Sequence, residues 1–144
     1  MLTIEQNRVA QVPETNPVMD AVELSFPSGL LGFEDNKQFQ LLSDPELAPY
    51  KWLKGMDADQ SFLVIPPSYV TASYSVVLPD EDVTCIGLSN PDDAVILNIA
   101  TYHPDETVTV NLKGPIVYHK ETRIARQVVP LNAATHSLAH PMGN

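Results

Sequence analysis

The sequence predicts an all-β fold: a small antiparallel, β-barrel-like single domain with at most one short helix. Short apolar runs, about eight or nine of them, recur at intervals near ten residues and are separated by turn residues. The 13 prolines suit short strands joined by tight connections and oppose long helices. Strand and helix patterns do not alternate, so a parallel α/β sheet is not expected.

Taken in order, residues 1–9 read as an edge strand. Val22, Leu24 and Phe26 alternate with Glu23 and Ser25, the period of a half-buried strand, and Pro27-Ser28-Gly29 ends it. Residues 39–42 make a short strand cut by Asp44-Pro45. In residues 50–56, Tyr50 and Trp52 are assigned to one face and Lys51 and Lys54 to the other. Residues 61–65 are a continuous apolar run before Pro66-Pro67 and read as a central strand; residues 73–78 form another, closed by Pro79. Asp80 is placed as the N-cap of one short helix, with Glu81 and Asp82 in its first turn. After the Asn90-Pro91-Asp92-Asp93 turn, residues 94–102 read as a long buried strand, paired with residues 107–112 in a hairpin. Residues 116–119 and 122–129 form a second hairpin joined by Lys120-Glu121. Residues 1–130 are expected to be the single domain, and residues 131–144, bearing Pro, Ala and His, a C-terminal tail.

A chain of 144 residues with 44% apolar and 18% charged residues suits one packed domain. The single cysteine, Cys85, excludes an intramolecular disulfide framework. No N-terminal signal-peptide pattern and no membrane-length apolar run is visible, so a cytoplasmic setting is expected. Net charge is −10, unevenly distributed. Residues 113–126 hold four bases against Glu121, a balance of +3; the chain before residue 113 holds 17 acids and four bases, a balance of −13. Such acidity repels phosphate backbones and disfavours nucleic-acid binding. Its first explanation is solubility; its second is attraction of a basic partner.

Chemistry is hard to find. His103, His119, His136 and His140 form no metal motif, and His119, beside Lys120, reads as solvent-facing. Cys85 lies among apolar neighbours and reads as an inert, buried hydrophobe. The acidic pairs and triplet sit in turns, as solvated faces or helix caps do. No cofactor, metal or catalytic residue is expected.

Three stretches resemble one family. Phe26-Pro27-Ser28-Gly29-Leu30-Leu31-Gly32-Phe33-Glu34 is similar to the F-x-x-G-L/I-x-G-F-E signature of the flagellar assembly factor FliW family. Residues 109–117, Thr-Val-Asn-Leu-Lys-Gly-Pro-Ile-Val, resemble its T-x-N-L-x-A-P-I-V stretch, and Arg126-Gln127-Val128-Val129 its closing segment. The resemblance implies a β-barrel-like fold without catalytic activity. It implies two protein partners, flagellin and the translational regulator CsrA. The protein would antagonise CsrA repression of flagellin mRNA, and flagellin secretion would release it to do so. No direct nucleic-acid or membrane contact is implied.

Candidate partner contacts are the acidic turn residues Glu34 and Asp35, Asp80, Glu81 and Asp82, and Asp92 and Asp93. Asn111 is a further candidate, with backbone capping at a strand end as its other reading. Phe26, Gly29, Gly32, Phe33, Leu112, Pro115 and Gln127 are read as structural, the glycines shaping a core-plugging loop. Charge should guide a basic partner to the loops before residue 113, away from the basic hairpin. The alternative is a small-ligand or enzymatic barrel using its interior.

Overall fold

The computed structural model describes residues 1–7, 20–56 and 60–142. In chain order they form β1 (Leu2–Asn7), β2 (Asp20–Ser25), β3 (Gln38–Ser43), β4 (Lys51–Gly55), β5 (Ser61–Ile65), β6 (Ser73–Leu78), α1 (Asp80–Ile86), β7 (Ala94–Tyr102), β8 (Val108–Val110), β9 (Ile116–His119), β10 (Ala125–Gln127) and β11 (His140–Pro141). The all-β class with one short helix is therefore as the sequence predicts. The strands make one sheet in the order β10-β9-β7-β5-β4-β3-β2, with β8 joining β7 to β11, and a separate β1-β6 pair. The sheets do not close into a barrel. The two ends of the large sheet meet at one bridge, Ser25 to Ile124, where Ser25 N–H donates to the Arg123 carbonyl at 3.0 Å.

The central strands are buried on both faces, which is why β5 and β7 read as unbroken apolar runs. Along β7, Ile96 and Ala100 enter one core with Ile4, Val76 and Ile86, and Leu97 enters the other with Phe26, Phe39 and Leu53. This is the period-2 alternation of a strand applied to two cores.

One edge of β7 has two partners. Ala94–Leu97 pairs with β9, and Ala100–Tyr102 pairs with β8. Asn98 lies at the change-over and is fully buried. Its Nδ2 donates to the Asn111 carbonyl at 3.0 Å and to the Tyr74 hydroxyl at 3.4 Å. The Tyr74 hydroxyl in turn donates to the Leu112 carbonyl. Burial pushes the Tyr74 phenol up to about 12, the Asn98 hydrogen bond pulling the other way.

Six local expectations differ from the structure. In β4, Leu53 is buried and Trp52, 38% exposed, lies outward with exposed Lys54. Positions two apart share a strand face, so Trp52 and Lys54 must go together. The cap of α1 is Pro79, Asp80 being the first helical residue, and the helix stops at Gly87 with φ +79°. The second hairpin has a longer turn than Lys120-Glu121, because β10 starts only at Ala125. His119 is buried rather than solvent-facing: its Nδ1 accepts from the N–H groups of Glu121 and Thr122 at 3.1 and 3.4 Å. Cys85 is only partly buried on α1. Residues 131–142, expected as a tail, lie along two strands. Leu131 N–H donates to the Val77 carbonyl, the Asn132 side chain pairs with β6 through Val77 N–H and the Ser75 carbonyl, and β11 pairs with β8.

Tyr74→Phe removes the donor to the Leu112 carbonyl and should cost roughly 1–3 kcal/mol in urea unfolding at neutral pH. The wild type should also lose stability as pH rises from about 10 to about 12. There the unfolded phenol has released its proton while the native one still holds it, so proton release favours unfolding, by up to about 2–3 kcal/mol. Tyr74→Phe should show a shallower alkaline loss; Tyr118, also raised by burial, keeps the remainder. An equal alkaline slope in both proteins would contradict the buried-phenol assignment.

Candidate functional site

The three stretches singled out in the sequence come together in space. Phe26 is fully buried, and its N–H donates to the Lys37 carbonyl at 2.7 Å, closing the base of the loop 26–37. Gly29 has φ +67°, and a Cβ there would lie 2.5 Å from Glu34 Cα, so only glycine fits. Leu30 is buried beneath the tip, and Phe33 N–H donates back to the Leu30 carbonyl at 2.8 Å. Gly32 has φ +87° with open space around it.

A second stretch holds this loop in place. Asn111 Oδ1 accepts from the N–H groups of Lys113 and Gly114, both at 2.9 Å, folding residues 111–114 into an Asx turn. Gln127 Nε2 donates to the Gly114 carbonyl at 3.1 Å, and Gln127 Oε1 accepts from Leu31 N–H at 3.1 Å. One amide thus ties β10 to both loops. Pro115 is buried, and its carbonyl accepts from Val128 N–H at 2.9 Å. Leu112 is buried under the Tyr74 hydroxyl.

The chain's four phenylalanines form a ladder through this region. Ring centroids are 5.0 Å apart for Phe26–Phe39, 6.4 Å for Phe39–Phe62 and 5.3 Å for Phe62–Phe33. The ladder runs from the buried Phe26 to Phe33, which is 39% exposed; Leu31 beside it is 57% exposed. The loop is therefore only partly a core plug. Phe26 and Leu30 fill the core, while Leu31 and Phe33 face outward. Glycines flanking bulky apolar residues fit either role, so sequence alone does not show the exposure.

The acidic candidates separate into two kinds. Asp82 is 8% exposed, with its Oδ1 3.1 Å from Arg126 Nε; Glu81 Oε1 lies 3.4 Å from the same guanidinium. Burial raises the Asp82 carboxyl, Arg126 acting against it. Asp80 meets the amino group of Met1. Asp93 lies 3.4 Å from Lys120 Nζ and 3.8 Å from His119 Nε2. Asp92 is exposed on the turn capped by Asn90. The basic hairpin and the acidic turns are thus neighbours, contrary to the charge separation that the sequence suggests. Arg126 and Lys120 were missed as their partners because charge counting along a chain carries no information on pairing across 45 residues. Glu34 and Asp35 are exposed and have no ion pair among the described residues.

Among the described residues, no group of three or more His, Cys, Asp and Glu could hold a metal ion. No described helix is long and apolar enough to cross a membrane. The interior beside the loop is filled by Leu24, Phe39, Leu53, Val64 and Ile116 rather than lined by polar groups, which counts against the ligand-binding alternative.

A family model described as FliW protein matches residues 3–142. Among curated proteins, the chain is 37% identical over 118 residues to a flagellar assembly factor FliW of Leptospira interrogans, covering 80% of this chain and 78% of the relative. It is 32% identical over 122 residues to that of Borreliella burgdorferi, covering 83% and 92%. A crystal structure of the flagellar assembly factor FliW superposes with a TM-score of 0.74 at 26% identity, over 92% of this chain and 89% of that one.

Arg126→Ala should destabilise the fold by about 2–3 kcal/mol at neutral pH, since it leaves the buried Asp82 carboxylate without its cation. The deficit should shrink as pH falls below the carboxylate range, where Asp82 is protonated with or without Arg126. Urea unfolding of both proteins across acidic and neutral pH checks this; a pH-independent deficit would assign the loss to packing instead.

Proposed function

The chain belongs to the FliW family, and on that premise we propose that it is a non-enzymatic flagellar assembly factor that acts in the cytoplasm by binding proteins. It binds the translational regulator CsrA and relieves repression of flagellin mRNA. It also binds flagellin, so that the amount of free flagellin sets how much of the protein remains to act on CsrA. The observation that carries this reading is the family match over residues 3–142, supported by relatives that bear the name flagellar assembly factor.

The physics of the chain fits such a partner. An RNA-binding regulator presents basic surface, and a protein of net charge −10 attracts it, chiefly by speeding encounter at low salt. The same charge keeps the protein off RNA itself. Antagonism has two possible forms. Acidic residues can imitate RNA and occupy its site, or binding elsewhere on CsrA can disfavour the RNA-bound state, a coupling between two sites. The second is favoured by the family resemblance and by the charge arrangement. Glu81, Asp82 and Asp93 face cations of their own chain, which leaves no run of free carboxylates across these turns to imitate a phosphate backbone.

RNA titrations of CsrA at several fixed concentrations of this protein test the mechanism. The expected result is a fall in the maximal RNA-bound fraction that excess RNA does not restore, reversed when flagellin is added. A purely rightward shift that RNA always overcomes would establish competition, and absence of any effect would remove CsrA as the partner.

A further inference from the structure

Of the three acidic turns in the sequence, the fold engages two with its own cations, and the third meets no cation among the described residues. Arg126 faces Glu81 and Asp82, and Lys120 faces Asp93. Glu34 and Asp35 remain exposed and without an ion pair among the described residues, in a stretch, residues 20–50, that carries six acids against Lys37 alone. The same tip exposes the two apolar side chains Leu31 and Phe33.

The tip is also pre-shaped. Gly29 sits so close to the Glu34 backbone that no side chain fits between them, Leu31 N–H is held by Gln127, and the Phe33 ring stands edge-on to Phe62. A rigid aromatic anchor loses little conformational entropy on binding, and central apolar anchors with a charged rim are the usual makeup of an interface hot spot. An exposed phenylalanine on a fixed support, with exposed carboxylates on the next two residues, suits a surface that offers an apolar pocket flanked by lysine or arginine.

We propose that residues 31–35 are the docking point for the basic RNA-binding regulator. Leu31 and Phe33 enter an apolar depression on the partner, and Glu34 and Asp35 pair with its rim cations. The inference rests on the CsrA reading above and assigns a surface to it. Charge decides the occupant: the tip complements a basic partner, which an RNA-binding protein must be.

The test uses the full chain and purified CsrA, with affinity measured at low and high salt. Leu31→Ser with Phe33→Ala should weaken binding at least about tenfold at both salt concentrations. Glu34→Lys with Asp35→Lys, which alters only exposed side chains, should weaken binding mainly at low salt and flatten its salt dependence. Thermal melts confirm that each variant is folded, and the lysine pair keeps the test valid should the apolar pair lose stability. If the wild-type chain binds CsrA and both variants bind as tightly, the docking point is overturned while the CsrA reading stands. If the wild type does not bind CsrA, the reading itself falls and takes the occupant with it. If both variants retain CsrA binding and lose flagellin binding, the tip is a flagellin surface and the assigned occupant is wrong.

Discussion

β7 exchanges one neighbour for another between Leu97 and Ala100, and the side chain of Asn98 fills the break. A strand that loses its neighbour in the protein interior must satisfy backbone groups by other means. The Asn98 amide and the Tyr74 hydroxyl do so, holding the carbonyls of Asn111 and Leu112 as the chain turns from β8 towards β9. With that turn fixed, the Asn111 side chain folds residues 111–114, Gln127 meets Gly114, and Leu31 meets Gln127. The position of the exposed tip thus traces back, bond by bond, to a buried amide on the central strand. The arrangement has a cost: Asn98 Oδ1 is buried without a hydrogen-bond partner among the described residues.

The fold also redistributes charge. A net charge of −10 belongs to the composition, but the carboxylates that a partner can meet are decided by which ones the protein already engages. Arg126 lies on β10 and reaches Glu81 and Asp82, holding α1 against the sheet. Lys120 fixes the turn at Asp93 in the same way. The basic hairpin therefore has a structural role.

Much of the fold was legible in the sequence wherever a periodicity had one explanation. β5 and β7 read correctly because strands buried on both faces have little polar content to mislead, and α1 because an acidic first turn marks its start. The reading of β4 failed because it grouped side chains by chemistry, lysine with lysine, against the strict two-residue period. His119 and residues 131–142 were misjudged for a common reason. Polar side chains such as His119, Asn132 and His136 can satisfy backbone groups of other segments, as His136 does at the Ser75 carbonyl, and nothing local in the sequence records that.

The sequence by itself determined the class of fold, the positions of the central strands, the glycine-shaped loop and the family, because all of these are written in local spacing and residue order. Only the tertiary structure decided which carboxylates are free, which loop residues face outward and what joins the three motif stretches. Those outcomes depend on contacts such as Leu31 with Gln127, 96 positions apart. A one-dimensional pattern carries the propensity of each segment, whereas the pairing of distant polar groups is settled by burial, where an unmatched charge or amide is costly.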